Sequence, residues 1–422
     1  MNSSIQWDAI IVGAGIVGSS AAYYAARNGL RVLMIEKETP GAAQSGRNLG
    51  FIRQQDRDFR ELSLAMGAMK LWTGLEGQLG RKVGWFQGGN LALAFTESDL
   101  TKQHEWKARA AEEFGLDTQI LSPEQVKAKV PALSTHAAIL GGMFTGSDGR
   151  IEPTRATRAF FEAALENGAS VKLGATTARI DVSAGQVSGV WCDGEYYRAP
   201  VVICAAGTGS AKLLRDVGLD LPQERIRATV IRTAPKPEIR LDPCVSAVEF
   251  GVRQDVKGAF VLSVFGGDYD VRADSWRHMR AYSEVRKANP GLAQINVWAP
   301  LQRILGDGYQ SPIADIPPTR DYVPPNQTRS KLALKRFHEI FPDLAACPLE
   351  ASWGGILDTM PDAVPVIGPI DGINGLLVAT GFSGHGFGPG PMAGKTMAEM
   401  AVGREAEVDL SQLSPMRFRR DA

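Results

Sequence analysis

The sequence predicts an α/β chain, α+β overall, in which a Rossmann-like unit is joined to a second unit built on antiparallel strands. Three observations predict it. A glycine-rich turn near the amino terminus is framed by a strand, a helix and a second strand. Two later stretches repeat the passage from buried strand to glycine loop to helix. Between them lie β-rich runs without crossover helices. At 422 residues the chain also exceeds what one simple core supports, so two domains are expected.

The first element is "DAIIVGAGIVGSSAAYYAARNGLRVLMIEK". It reads as a strand over Ala9–Val12, a helix over Ile16–Arg27 ending near Gly29, and a strand over Arg31–Ile35 that closes on Glu36 and Lys37. In such a turn Gly13 makes the bend, Gly15 lets a pyrophosphate approach the backbone, and Gly18 lets helix and strand pack closely. The N–H groups at the helix start, around Ile16 and Val17, would carry the phosphate charge. Glu36 stands where a carboxylate grips ribose hydroxyls, and it would repel a ribose 2′-phosphate. The turn therefore predicts an ADP moiety and leaves open whether nicotinamide or flavin completes it. The charge-free run from Ala9 to Ala26 approaches the length of a membrane helix. Its central glycines suit a strand–turn–helix instead, and no transmembrane span is expected.

Composition narrows the partners. Hydrophobic residues make up 44% and charged residues 22%, and 46 basic residues balance 46 acidic ones, which argues against nucleic acid as the main partner. Cys192, Cys204, Cys244 and Cys347 show neither CxxC pairing nor zinc spacing, so they read as reduced, buried thiols of a cytoplasmic protein. No His, Cys or carboxylate set recurs at metal spacing, and His104 and His278 read as ordinary surface or boundary residues.

Two further junctions favour a flavin. "RAPVVICAAGTGSAKLL" runs from a strand over Val201–Cys204 into Ala206, Gly207 and Gly209 and then a helix. "NGLLVATGFSGHGFGPGPMAGKTMAEMAVG" runs from a strand over Leu376–Ala379 into a glycine loop and a helix from about Pro391 to Val402. A nicotinamide dehydrogenase needs one cradle; three junctions suggest one large cofactor across the carboxyl ends of several strands. "QGGNLALAF", "RATVIRTAP" and "AFVLSVFGG" read as strands of the second unit. Residues 99–116 and 275–292 read as amphipathic helices.

On these residues, with "SGRNLGFIR", "MPDAVPVIG" (Met360–Gly368) and "GFSGHGF", the chain resembles the D-amino acid oxidase-like superfamily of FAD enzymes. That superfamily includes glycine oxidase, sarcosine oxidase, D-amino acid dehydrogenases and opine oxidase subunits. The resemblance implies an FAD-binding domain over residues 1–84, 148–222 and 352–422, interleaved with a substrate domain over 85–147 and 223–351. It implies that Gln44, Ser45, Gly46, Arg47, Asn48 and Leu49 wrap the pyrophosphate and ring system. It also implies that Thr177 meets the adenine through its backbone, and that Gly384, His385, Gly386, Phe387 and Gly388 cover the redox end of the ring. The covalent flavin cysteine of sarcosine oxidase would fall near Gly355, so non-covalent FAD is expected.

The chemistry of that last loop follows from its composition. Reduced flavin gathers negative charge, and a helix start offers unpaired N–H donors and about half a positive charge. Pro391 suits the first turn. His385 is a candidate catalytic group, with structural packing against the cofactor as the other reading. Family substrates carry a carboxylate beside an oxidisable C–N bond, and Arg53 matches the arginine that receives it; a salt bridge to Asp56 or Asp58 is its alternative role. Two departures stand out: Leu357 and Gly388 occupy positions where glycine oxidase-like and sarcosine oxidase-like members carry a cation. Arg320 could supply a replacement. The function expected is oxidation of an amino acid or N-substituted amino acid by hydride transfer to flavin N5, giving an imine that hydrolyses. Oxygen, a quinone or an electron-transfer partner would accept the electrons. A catalytic subunit of a heteromeric opine-type dehydrogenase and, less favoured, an NAD-dependent dehydrogenase are the alternatives.

Overall fold

The computed structural model describes residues 6–133, 138–247, 250–272, 275–288, 291, 293–299, 301, 316–320 and 323–418. Five short runs of apolar, β-branched-rich sequence form a parallel core in the order Ile373–Thr380, Val201–Cys204, Ala9–Val12, Val32–Ile35 and Ser170–Lys172. Alternation decides which side each residue serves. Ile11, Met34, Ile203 and Leu377 face the helices Ile16–Arg27, Phe59–Leu79, Pro153–Glu166 and Gly390–Ala401. Ile10, Leu33, Val202 and Val378 face the opposite layer, which includes the antiparallel strands Ala178–Ser183, Gln186–Cys192 and Glu195–Arg198. Both faces are covered, which is why these strands lack polar alternation.

The strands Ala9–Val12, Val201–Cys204 and Ile373–Thr380 are adjacent and parallel. The loops that follow them, at Gly13, Ala205 and Gly381, therefore leave one edge of the sheet side by side. The three junctions expected from sequence form one continuous rim.

A second sheet of ten strands is mainly antiparallel. Its central strand, Glu224–Thr233, pairs along its length with Leu349–Thr359. The helix Gln327–Ile340 covers one face through Phe337, against Phe260 and Leu262. The boundary expected at residue 352 falls inside the strand Leu349–Thr359.

Among the described residues the amphipathic pattern over 275–292 gives a helix only at Ser283–Ala288. The preceding stretch is a run of turns with bonds from Ala281 N–H to His278 O and from Ser283 N–H to Arg280 O. Tyr282 is pinned by its hydroxyl to the carbonyl of Pro222 at 2.9 Å, a tertiary anchor that overrides local periodicity. The other amphipathic stretch is a helix over Glu97–Phe114, capped by Thr96, with His104 on its exposed face. His278 is buried and lies 3.6 Å from Asp220. All four cysteines are unpaired and buried. No helix among the described residues is long and apolar enough to cross a membrane.

Candidate active site

The amino-terminal turn closes only because its glycines lack side chains. Gly13 has φ +106°, and a Cβ there would lie 2.4 Å from the carbonyl oxygen of Ala205. A Cβ on Gly18 would lie 1.9 Å from the oxygen of Gly13. Gly15 heads the helix Ile16–Arg27 and offers it no side-chain cap, so the first-turn donors are left for other partners. Ser45 Oγ accepts the Ile16 N–H at 2.9 Å, which brings the 44–49 loop onto the cradle. Glu36 accepts from the N–H of Ala14 at 2.7 Å and of Glu38 at 2.8 Å, while burial pushes its carboxyl above the ordinary range. Lys37 is exposed, 3.8 Å from Glu38. A narrow glycine turn, a helix start without a cap of its own and a half-buried carboxylate at the second strand fit the ADP half of FAD.

Within the loop, Asn48 caps the carbonyls of Gln44 and Ser45, at 3.2 and 2.9 Å. Gly46 is required by the carbonyl of Gly41, 2.5 Å from where its Cβ would sit. Arg47 is buried and spends its donors on the carbonyls of Ala42, Gly354 and Pro317, so it clamps the loop to its surroundings. Leu49 offers its carbonyl to the Arg253 guanidinium. The Nε2 of Gln44 lies 3.1 Å from the Cβ position of Gly207, so this loop also meets the second junction, the single turn Gly207–Gly209 that follows Ala206. Thr177 is exposed, and both its N–H and its carbonyl are engaged by Asp193.

A buried polar network ties the second junction to the third. Asp358 accepts from the Gly381 N–H at 2.8 Å and from Gln223 Nε2 at 3.1 Å. Gln223 and Thr380 both donate to the carbonyl of Gly207. Burial raises the Asp358 carboxyl above its usual range, with the Gly381 amide pulling the other way. Sequence spacing carried no sign of this network, because its members come from distant segments.

The third junction holds the most chemistry. Trp72, on the long helix, donates to the carbonyl of Gly388 at 2.7 Å and stacks on Phe387. His385 Nε2 lies 3.0 Å from one Glu61 oxygen and 3.2 Å from the other. Burial and then the charge of Arg57 hold the His385 pKa below its ordinary value. Burial pushes Glu61 the other way, but His385 and Arg57 outweigh it and keep its carboxyl below the usual range. Above pH 6.5 the pair is therefore a neutral imidazole donating Nε2–H to an ionised carboxylate. Arg57 is buried, 3.9 Å from Glu61, and donates to the carbonyls of Arg53 and His385. The Arg57–Glu61 spacing of four residues was the one sequence feature that could have found this cluster.

Arg53 is partly exposed and lies 3.8 Å from Asp56; Asp58 instead caps the long helix and binds Arg60. The Arg53 backbone is set by Asp148, which accepts from the N–H of Gln54 and of Gln55. Burial pushes the Asp148 carboxyl up to about 6. Arg53 opens on a cleft of about 470 Å³ with Met143, Ser246 and Phe265 of the second sheet on its walls. The backbone N of Arg53 lies 3.8 Å from the Cβ position of Gly388. Leu357 packs near Gly384, 3.1 Å from its Cβ position. Arg320 is held elsewhere, its N–H bonded to Glu38 at 2.9 Å beside the cradle, and no contact among the described residues joins it to Arg53.

The family described as FAD dependent oxidoreductase (DAO) matches residues 8–400. Mitochondrial dimethylglycine dehydrogenase of Mus musculus is 24% identical over 417 residues, covering 97% of this chain and 44% of its own. The chain thus spans about half the length of that relative. N-methyl-L-tryptophan oxidase of Escherichia coli O157:H7 is 23% identical, with 98% and 100% covered. The solved L-amino acid deaminase of Proteus myxofaciens, in complex with anthranilate, superposes with a TM-score of 0.87 at 20% identity, over 100% of this chain and 96% of that one.

Proposed function

This chain belongs to the FAD dependent oxidoreductase family, and from that premise we propose that it oxidises the C–N bond of an amino acid or N-substituted amino acid. The observation that carries the reading is the position of Arg53. It opens on a cleft walled by the second sheet, while its own backbone lies 3.8 Å from the Cβ position of Gly388 in the glycine loop. A guanidinium there receives a carboxylate and directs the adjoining amine toward that loop. The names of relatives point the same way: they act on dimethylglycine, N-methyl-L-tryptophan and L-amino acids.

Bound FAD supplies the two-electron acceptor, taking a hydride at N5 from the carbon beside nitrogen, and the resulting imine hydrolyses in water. The chain's own share is placement and charge. Gly13, Gly15 and Gly18 with the helix start receive the pyrophosphate, Glu36 the ribose, and Gln44–Leu49 with Ala206–Gly209 the middle of the cofactor. Gly384–Gly388 and the start of Gly390–Ala401 meet the ring, where His385 serves as a neutral hydrogen-bonding group. The FAD domain comprises 1–84, 148–222 and the chain that follows the strand Leu349–Thr359, and the second sheet, which includes that strand, forms the substrate wall. FAD is held non-covalently, as Gly355 offers no attachment, and four buried thiols suit a cytoplasmic setting.

The test is anaerobic mixing of the yellow purified protein with a panel of D-, L- and N-alkyl amino acids. Bleaching by one class is expected; a flavin that no member bleaches sinks the reading. Repeating the run in air separates an oxidase from a dehydrogenase that passes electrons to a quinone or partner subunit. Trichloroacetic acid should leave the yellow colour in the supernatant.

A further inference from the structure

We propose that Arg57, acting with Arg53, forms the seat for the substrate carboxylate in the space that Gly388 leaves open; the assignment rests on the amine-oxidising function above. Three observations converge on it. First, the Arg57 side chain is only 4% exposed, yet its nearest anionic oxygen, Glu61 Oε1, is 3.9 Å away. Its hydrogen bonds go to neutral carbonyls, Arg53 O at 3.2 Å and His385 O at 3.4 Å. A buried guanidinium with five donors is poorly compensated by such partners. Glu61 is in any case turned to His385, which holds it at 3.0 Å.

Second, a further cation stands beside it. Among the described residues the ion-pair partner of Arg53 is Asp56, at 3.8 Å, and the Asp56 side chain is 64% exposed. Burial, then the charge of Arg53, push the Arg57 guanidinium down to about 10. The third carboxylate nearby, Asp148, is occupied by the amides of Gln54 and Gln55. Two cations with loosely held counter-charges make a seat for an incoming anion.

Third, the glycine at 388 is not demanded by packing. A Cβ there would lie 3.8 Å from Arg53 N, 3.8 Å from Arg57 Nη2 and 3.9 Å from Ile52 Cα, all ordinary contacts. The position could hold a side chain. Without one, only the backbone of residue 388 faces the Nη2 edge of Arg57, whose bond to the His385 carbonyl is long, at 3.4 Å. A carboxylate entering past Gly388 meets that edge with the bidentate geometry a guanidinium favours.

The test uses holoenzyme titrated with benzoate, read by the change in flavin absorbance, with benzyl alcohol as the uncharged control. Arg57→Met is expected to weaken benzoate roughly 10- to 100-fold, as loss of a charge-assisted pair does, and to leave benzyl alcohol unchanged. Arg57→Lys should fall between. Arg57→Met/Gly388→Lys, which restores a cation from the opposite side, should recover most of the affinity. In turnover KM for carboxylated amines should rise while kcat holds, and KM for decarboxylated counterparts should not move. Equal benzoate affinity in wild type and in Arg57→Met or Arg57→Lys overturns the assignment. So does a wild-type holoenzyme that binds no benzoate, or an Arg57 variant in which only the flavin spectrum or potential shifts. Bleaching by amines with unchanged KM in Arg57→Met would remove Arg57 and keep the function; benzoate binding through Arg57 without bleaching by any amine would do the reverse.

Discussion

Glu61 and His385 meet across 324 positions of sequence, and their contact decides which ring nitrogen of His385 is available. With Nε2 donating to Glu61, Nδ1 is the acceptor of the neutral ring. Burial and Arg57 hold the His385 pKa below 6.5 while the Glu61 charge opposes them, so any acid limb from this imidazole lies below pH 6.5. Glu61→Gln removes the opposing charge and should move that limb to lower pH; a kcat/KM profile in which the limb stays put would exclude His385 as its source. Linkage adds a sign. The unfolded chain protonates its histidine first, so the native state loses stability as pH falls through 6.5. At the cleft, Arg53→Ala should raise KM for carboxylated amines roughly 10- to 100-fold and spare decarboxylated ones, checked by steady-state kinetics on matched pairs. Of these residues, Arg53 and His385 were legible because each sits in a motif. Arg57, Glu61 and Asp148 were not, since their meaning comes from partners brought together by the fold.

Between elements, the helices Ile16–Arg27 and Gly390–Ala401 approach each other closely. A Cβ on Gly394 would lie 2.0 Å from Ser20 Oγ and 2.6 Å from the Val17 carbonyl, and one on Gly390 2.8 Å from Ile16 Cγ2. These two helices carry the phosphate turn and the glycine loop at their starts, so their spacing sets the span between them. Gly394→Ala should force them apart at a cost of about 1–3 kcal/mol, seen as a lower Tm and weaker FAD retention. Gly388→Ala, where the nearest atom would be 3.8 Å away, should leave Tm unchanged. The strands around the rim were readable in sequence because buried β-branched runs ended on glycines. Of the segment 275–292 only Ser283–Ala288 is helical among the described residues, and the turns before it include Tyr282, whose hydroxyl is held by the Pro222 carbonyl.

On the scale of the whole molecule, the order of strands in the first sheet could be anticipated only as far as three glycine loops implied neighbours. Their adjacency, and the network of Asp358, Gln223 and Thr380 that locks two of them together, emerge from pairing over long sequence distances. The strand Leu349–Thr359 joins both halves: it lies in the substrate sheet and ends on Asp358, which holds the Gly381 amide. The placement of the thiols has a consequence for durability. Cys192, Cys204 and Cys244 are buried, and burial raises them to about 11, 11 and 12. A thiol that keeps its proton at neutral pH is a poor target for hydrogen peroxide. Native holoenzyme should therefore leave DTNB uncoloured, with all 4 cysteines reacting only in guanidinium, and should keep its activity through prolonged turnover in air. Where oxygen takes the electrons, the peroxide formed beside the flavin would meet no accessible thiol to oxidise.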